Sequence, residues 1–326
     1  MLGAMNRLDT KSWREMLILV GVSYVLSRLM IGNLVFTIPL MVLAPKFSDR
    51  KVALLPVALV ALLLAATELI RSRDALGSPE GRILLLIGLF IPTVLLVASA
   101  VWIALTEQRT LYRYLASCLF GVVASVLVVI GFSKPNEALE WVNSAMYETF
   151  RMILGQASGD PDSTTLLADS ELRSLYRVSV MAIGAMLAPL CMALVGFTSF
   201  MAMSYQNRYD NSFSNRVAGW RIPEVTLWVF LGSWTLVLAL ILFKANYLSR
   251  ALALQVALGS SVLYAVQGMA IVTYFALRKG LVVNTARLFS TVFLLAFLIP
   301  GVNVVVVFVL PLLGVTETWI AYRSNE

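Results

Sequence analysis

The chain is predicted to be an all-α, polytopic transmembrane helical bundle of about eight to ten membrane segments. Three observations lead there. Hydrophobic residues fill 60% of the 326 positions and charged residues only 13%, about half the charged share of a soluble domain. Mean hydropathy is +0.85. The apolar residues are gathered into blocks separated by short charged loops, as expected where helices satisfy their own backbone in hydrocarbon. No polar stretch is long enough for a separate soluble domain, so residues 1–326 read as one integral membrane domain.

The elements follow in order. Arg7, Lys11 and Arg14 precede an apolar run with no small-residue cleavage motif, so the first helix is expected to be an uncleaved anchor. Residues 16–44 are too long for one span and too short for two ordinary ones, since a span takes about 20 residues. Read as arms 16–30 and 32–44, they form a hairpin turning near Gly32 and Asn33. Spans are expected over 51–70, 84–105 and 111–132. The stretch 133–172 is rich in Glu and Asp, which suits an extracytoplasmic loop. Within it Leu139, Val142, Met146, Phe150 and Ile153 recur at helical spacing, predicting an amphipathic surface helix over 137–154. SGDPDS at 158–163 reads as a turn.

Further spans are expected over 173–203, 222–243 and 250–277. WRIPEVTLW at 220–228 begins one of them. Trp220 suits the interface, Pro223 the first helical turn and Glu224 the positive end of the helix dipole. Residues 286–321 repeat the length problem, with Pro300-Gly301 between arms 286–299 and 302–321.

The net charge of +7 fits basic cytoplasmic loops rather than nucleic acid as a partner. With both ambiguous stretches as hairpins, fifteen of the 25 basic residues fall on the N-terminal side, nine on the other, and Arg28 within a span. Both termini are then expected on the cytoplasmic side of the membrane. Arg71, Arg73 and Arg82 run against this arrangement.

Chemistry is narrowed by what the chain lacks. It has no histidine, which removes histidine bases, Ser-His-Asp triads and His-ligated metals. Cys118 and Cys191 both fall in apolar runs, so neither a disulfide nor a thiolate metal site is expected. There is no glycine-rich phosphate loop, HExxH or CxxC. The chain reads as a non-enzyme without cofactor.

The candidate ligand-binding residues are Gln267, Gly268, Arg28, Asn33 and Asn303. A guanidinium at position 28, inside an apolar run, must either snorkel to the interface or meet an anion. Asn33 and Asn303 lie in the two broken stretches, a pattern that marks binding sites in transporters but also arises from proline kinks. Gln267-Gly268 precedes the Arg278-Lys279 stop by about ten residues, or about 15 Å, which puts it near mid-membrane. Its amide needs a partner helix or a ligand. Ser117, Gly121 and Ser125, and Gly184 and Ala188, are spaced by four. Such ladders serve close helix packing, inside the bundle or against a second subunit.

Three segments, WRIPEVTLW at 220–228, VQGMAIVTYFALRKG at 266–280 and LLGVTETWIAYR at 312–323, resemble in order the YybS-like family of bacterial membrane proteins. Glu317 stands where that family more often has aspartate. The family's organisation is similar to that of the substrate-binding S components of energy-coupling factor transporters, and the broken segment at Ile38-Pro39 is part of that similarity. That family's biochemical role is not established, but the similar organisation, with the broken hairpins and Gln267 lining a site, is expected to give a membrane subunit that binds or translocates a small solute. Since the chain lacks a nucleotide-binding motif, active transport would need a separate motor subunit or an ion gradient. Its expected partners are the lipid bilayer, a small-molecule ligand and a membrane coupling subunit. The alternative is a non-transporting scaffold of an envelope complex, built on the small-residue ladders and the 137–154 helix.

Overall fold

The computed structural model describes residues 10–29, 31–47, 49–73, 75–133, 137–157, 169–210, 212–280, 284–299, 301–320 and 322–323. Among them are helices α1 (Thr10–Arg28), α2 (Ile38–Leu43), α3 (Arg50–Arg71), α4 (Pro79–Ala104), α5 (Thr110–Phe132) and α6 (Glu137–Ala157). These are followed by α7 (Asp169–Gln206), α8 (Phe213–Ala218), α9 (Val225–Leu242), α10 (Tyr247–Arg278), α11 (Thr285–Leu298) and α12 (Val302–Thr316). No strand occurs among the described residues. Six helices, α3, α4, α5, α7, α9 and α10, are long and apolar enough to cross a membrane. The protein is therefore an integral, multi-pass membrane protein, and the leucine, valine and phenylalanine side chains exposed along these helices face lipid.

Ion pairs fix the ends of the bundle. Lys46 Nζ lies 2.6 Å from Glu15 Oε2, and Arg50 pairs with Glu107. The start of α1, the start of α3 and the loop after α4 thus share one end, the near end. At the far end, Arg28 Nη1 meets Glu68 Oε1 at 2.5 Å.

Both ambiguous stretches are hairpins from the near end, and neither crosses the membrane. α1 rises about 20 Å from Glu15 to Arg28. The return arm corrects the expected span over 32–44. It is a 3-10 turn (Gly32–Leu34), the six-residue α2 and a second 3-10 turn (Ala44–Lys46). Pro39 and Pro45 sit at the starts of the last two pieces and break the hydrogen-bond ladder. The interruption is tolerated because protein surrounds it. Phe36, Leu40, Met41 and Leu43 are each at most 1% exposed, enclosed by α1, α3, α4 and α7. Gln206 Nε2 donates to the Met41 carbonyl at 2.9 Å.

At the other end of the chain, α11 runs antiparallel to α7. Phe289 stacks on Phe200, and Phe293 on Phe197. α12 returns alongside α10, so that Tyr322 meets Phe275. With 14 and 15 residues, the two arms reach about 22 Å, short of a hydrocarbon core about 30 Å thick. Gly301 turns the corner at φ +94°, which favours glycine. Pro300 lies outside the described residues.

α7 is the central post. Its 38 residues reach about 57 Å, nearly twice the hydrocarbon thickness. Its first turns project beyond the far end and carry α6, the expected amphipathic helix. There Tyr176 donates to Asn143 Oδ1 at 2.6 Å, and Tyr147 and Phe150 pack on its ring. Val142 is buried in this contact, whereas Met146 and Ile153 stay exposed. The expected turn at 158–163 lies outside the described residues.

Candidate functional site

The three segments singled out near the C-terminus converge on one buried knot. Gln267 accepts at Oε1 from the Ile222 backbone N–H at 2.9 Å. Its Nε2 donates to the Gly314 carbonyl at 2.9 Å and to Glu317 Oε2 at 3.0 Å. Glu317 is clasped by Arg323, through Nε to Oε1 at 2.5 Å and through Nη2 to Oε2. Arg323 Nη1 donates to the carbonyls of Ala218 and Trp220, and Arg221 Nη2 donates to the carbonyl of Arg323. Both members of the Glu317–Arg323 pair are about 5% exposed. The amide of Gln267 spends both N–H donors inside the protein and its oxygen takes one protein donor, which leaves no donor for a ligand.

Gly268 and Gly314 make the knot sterically possible. A Cβ on Gly268 would strike the carbonyl oxygen of Leu310, and one on Gly314 would strike that of Tyr264. α10 and α12 therefore cross with backbones in contact. The depth of the knot corrects the mid-membrane expectation. Gln267 lies beside Ile222, just before α9 begins, and about 30 Å along α10 from Tyr247. It lies at the near end of the bundle, level with the start of α9, and the turns up to Arg278 continue past that level. Pro223 also precedes the first helical residue, Val225, instead of occupying the first turn.

The remaining candidates separate. Arg28 is held by Glu68 and Thr67, with its guanidinium 5.3 Å from the Tyr24 ring. It snorkels upward from a helix that ends below the far boundary. Ser117, Gly121 and Ser125 are buried, with Gly121 facing Val94 and Cys191. Gly184 faces the Tyr247 hydroxyl and Val129, and Ala188 is buried. These ladders are consumed by contacts within the bundle. Asn303 lies in the first turn of α12; its side chain is outside what the structure describes.

Asn33 is different. Its Oδ1 is buried and has no hydrogen-bond partner, and the same holds for Ser23 Oγ, Thr37 Oγ1 and, on α10, Gln255 Oε1. The first three belong to the N-terminal hairpin, where Gly32–Leu34 and α2 pack directly on α1. Ser23 and Thr37 are fully buried. Several other buried hydroxyls return to a carbonyl of their own helix, as Ser99 does to Leu96, Ser125 to Gly121 and Thr198 to Leu194. Thr37 even occupies the N-cap position of α2 without its side chain capping it. Ser23 and Thr37 carry no motif, because a hydroxyl inside an apolar run usually just bonds its own helix. The available signal is the place of Thr37, immediately before Ile38-Pro39 in the break.

A groove of about 240 Å³ between α9, α10 and α12 is lined by Phe230, Trp234, Phe308 and Leu312, among others. It is almost wholly apolar and holds little that would orient a polar solute. Compared with family models, curated proteins and solved structures, the chain matches none.

Proposed function

We propose that this membrane protein binds a small polar solute inside the N-terminal hairpin and serves as a transporter-like subunit of the bacterial inner membrane. The observation that carries the proposal is the set of unpartnered, buried oxygens on Ser23, Asn33 and Thr37. Leaving a buried polar group unpaired is costly, and more so in hydrocarbon, where no water competes. Discontinuous segments buried within the bundle are where transporters build such sites. A second broken hairpin, α11–α12, enters from the same end, and kinship with YybS-like proteins belongs to the same reading. The sequence has no nucleotide-binding loop, so transport would draw on a separate motor subunit or an ion gradient. The near end, with Lys46, Arg50, Arg208 and Arg221, is then cytoplasmic. The scaffold alternative would rest on the 137–154 helix, whose Met146 and Ile153 stay exposed, because Gly121, Gly184 and Ala188 are occupied by the bundle itself.

A solute site must be reachable from water in some state of the protein. Thr37→Cys and Ser23→Cys are expected to react with a small water-soluble thiol reagent in proteoliposomes. Cys118 and Cys191 are buried and should stay silent. If neither introduced thiol reacts from either side while both proteins remain folded, the reading fails.

A further inference from the structure

We infer that the groove between α9, α10 and α12 is a binding site for one phospholipid acyl chain from the near leaflet, a site separate from the hairpin and independent of its reading. The groove follows from how the three helices pack. α9 and α12 each lie along α10, yet their backbones hardly approach one another. α10 is therefore the floor, through Leu258 and Ser261, and the other two helices are the walls. On α9 the wall is Phe230 and Trp234, and on α12 it includes Val307, Phe308 and Leu312. The Phe230 ring is set against that of buried Tyr264, with centroids 5.2 Å apart.

The side-chain donors of the groove are spent. Trp234 Nε1 donates to Ser261 Oγ at 3.3 Å, and that hydroxyl donates to the Ala257 carbonyl at 2.9 Å. Water finds too few partners on such walls to stay. The groove also continues the surface that faces lipid, because Val307, Phe308 and Leu312 line it and are themselves exposed. Depth then selects the leaflet. α9 has 18 residues, or about 27 Å, which matches the hydrocarbon core and puts its start at the near boundary. Trp234 lies about 14 Å past that start, Phe308 about 12 Å before the end of α12, and Ser261 about 9 Å before Gln267. The groove thus sits about 10 Å in from the near end, where the middle of an acyl chain lies. Its volume of about 240 Å³ admits part of one chain. A helix, about 10 Å across with its side chains, would lie over the groove and not in it.

The test uses the full chain in mild detergent, with phosphatidylcholine brominated on its acyl chains added at a small mole fraction. Bromine quenches indole fluorescence on contact. Variants with a single tryptophan keep either Trp234 or Trp228, every other tryptophan being changed to Phe. Trp228 lies on the same helix and is 74% exposed, so it reports ordinary lipid contact. Trp234 is expected to lose several times more fluorescence than Trp228 at the same lipid fraction, and to saturate. Leu258→Phe, which fills the floor, should bring the Trp234 response down to that of Trp228. Equal responses of the two tryptophans in the parent show passing lipid contact only and overturn the site. An unquenched Trp234 overturns it too, and sedimentation as a dimer would then name a second copy as the cover. If the single-tryptophan chains fail to fold, the unmutated chain is photolabelled with a phospholipid carrying a diazirine on its acyl chain. Adducts at 230–234 and 307–312 that unlabelled phospholipid competes away support the site. Adducts spread evenly along α9, Trp228 included, overturn it.

Discussion

At the scale of single residues, Gln267 shows how the same side chain can be read two ways until its neighbours are known. An amide inside an apolar run calls for a partner, and its sequence position is compatible with a ligand. The partners are instead Ile222, Gly314 and Glu317. Gln267→Leu is expected to destabilise the protein by about 2–4 kcal/mol, through the backbone groups it leaves unpaired. Unfolding in mild detergent measures this. Glu317→Ala should cost about 3–5 kcal/mol, since it strands the buried Arg323 guanidinium. Two glycines offer a matched comparison. Gly268→Ala drives a Cβ into the Leu310 backbone, with an expected loss of about 1–3 kcal/mol. Gly232→Ala meets open space on exposed α9, and its higher helix propensity should add about 0.5–1 kcal/mol. Equal effects of the two changes would mean that α10 and α12 do not cross at Gly268. Burial of the 220s, 260s and 310s in one knot could not be read from the sequence, because nothing in a linear pattern of apolar runs records which helix ends share a depth.

At the scale of elements, length arguments served well and depth arguments did not. Residues 16–44 and 286–321 are legible as hairpins from their length and their Gly and Pro residues. The return arm was not legible as 3-10 turns around a six-residue helix, since its composition is as apolar as any span. What protects it is burial by α1, α3, α4 and α7, a tertiary fact. Counting from Arg278 placed Gln267 too deep because α10 runs past the membrane boundary, a length the hydropathy pattern blurs. The turn between α7 and α8 carries a local prediction. Asp210 accepts from the Ser212 hydroxyl at 2.7 Å and its N–H at 2.9 Å, and Arg216 Nη2 lies 2.6 Å away. These donors, Ser212 first, hold its carboxyl below the ordinary aspartate value of 3.8. A depressed value in the folded state adds stability above the ordinary aspartate range and loses it as the pH falls through the folded value. Hydrogen-exchange protection of the 212–216 amides, corrected for intrinsic exchange at each pH, should therefore fall on acidification below the ordinary aspartate value. In Asp210→Asn that protection should stay constant over the same range.

At the scale of the whole molecule, α7 organises the rest. The N-terminal hairpin packs on it from one side and α11 from another, and the α10–α7 contact joins the two halves through Gln255, whose Nε2 donates to the Gly184 carbonyl at 2.8 Å. This arrangement fixes which loops must share a face of the membrane, and the charge pattern predicts that the near end is cytoplasmic. Single cysteines at Arg14, Gln108, Tyr209 and Lys279, exposed at the near end, should all be labelled by an impermeant reagent from the cytoplasmic side. Cysteines at Ser133 and Lys244, exposed at the far end, should be labelled from the opposite side. Labelling of position 14 together with 133 would turn 16–44 into a single crossing and remove the buried break that holds Asn33 and Thr37. Labelling of 279 together with 244 would undo the passage of α10 through the bundle and, with it, the near-boundary depth of the Gln267 knot. The near-end set also carries the positive-inside excess. Inversion of the whole pattern would keep the fold intact and reverse only the side of the membrane on which the near end lies.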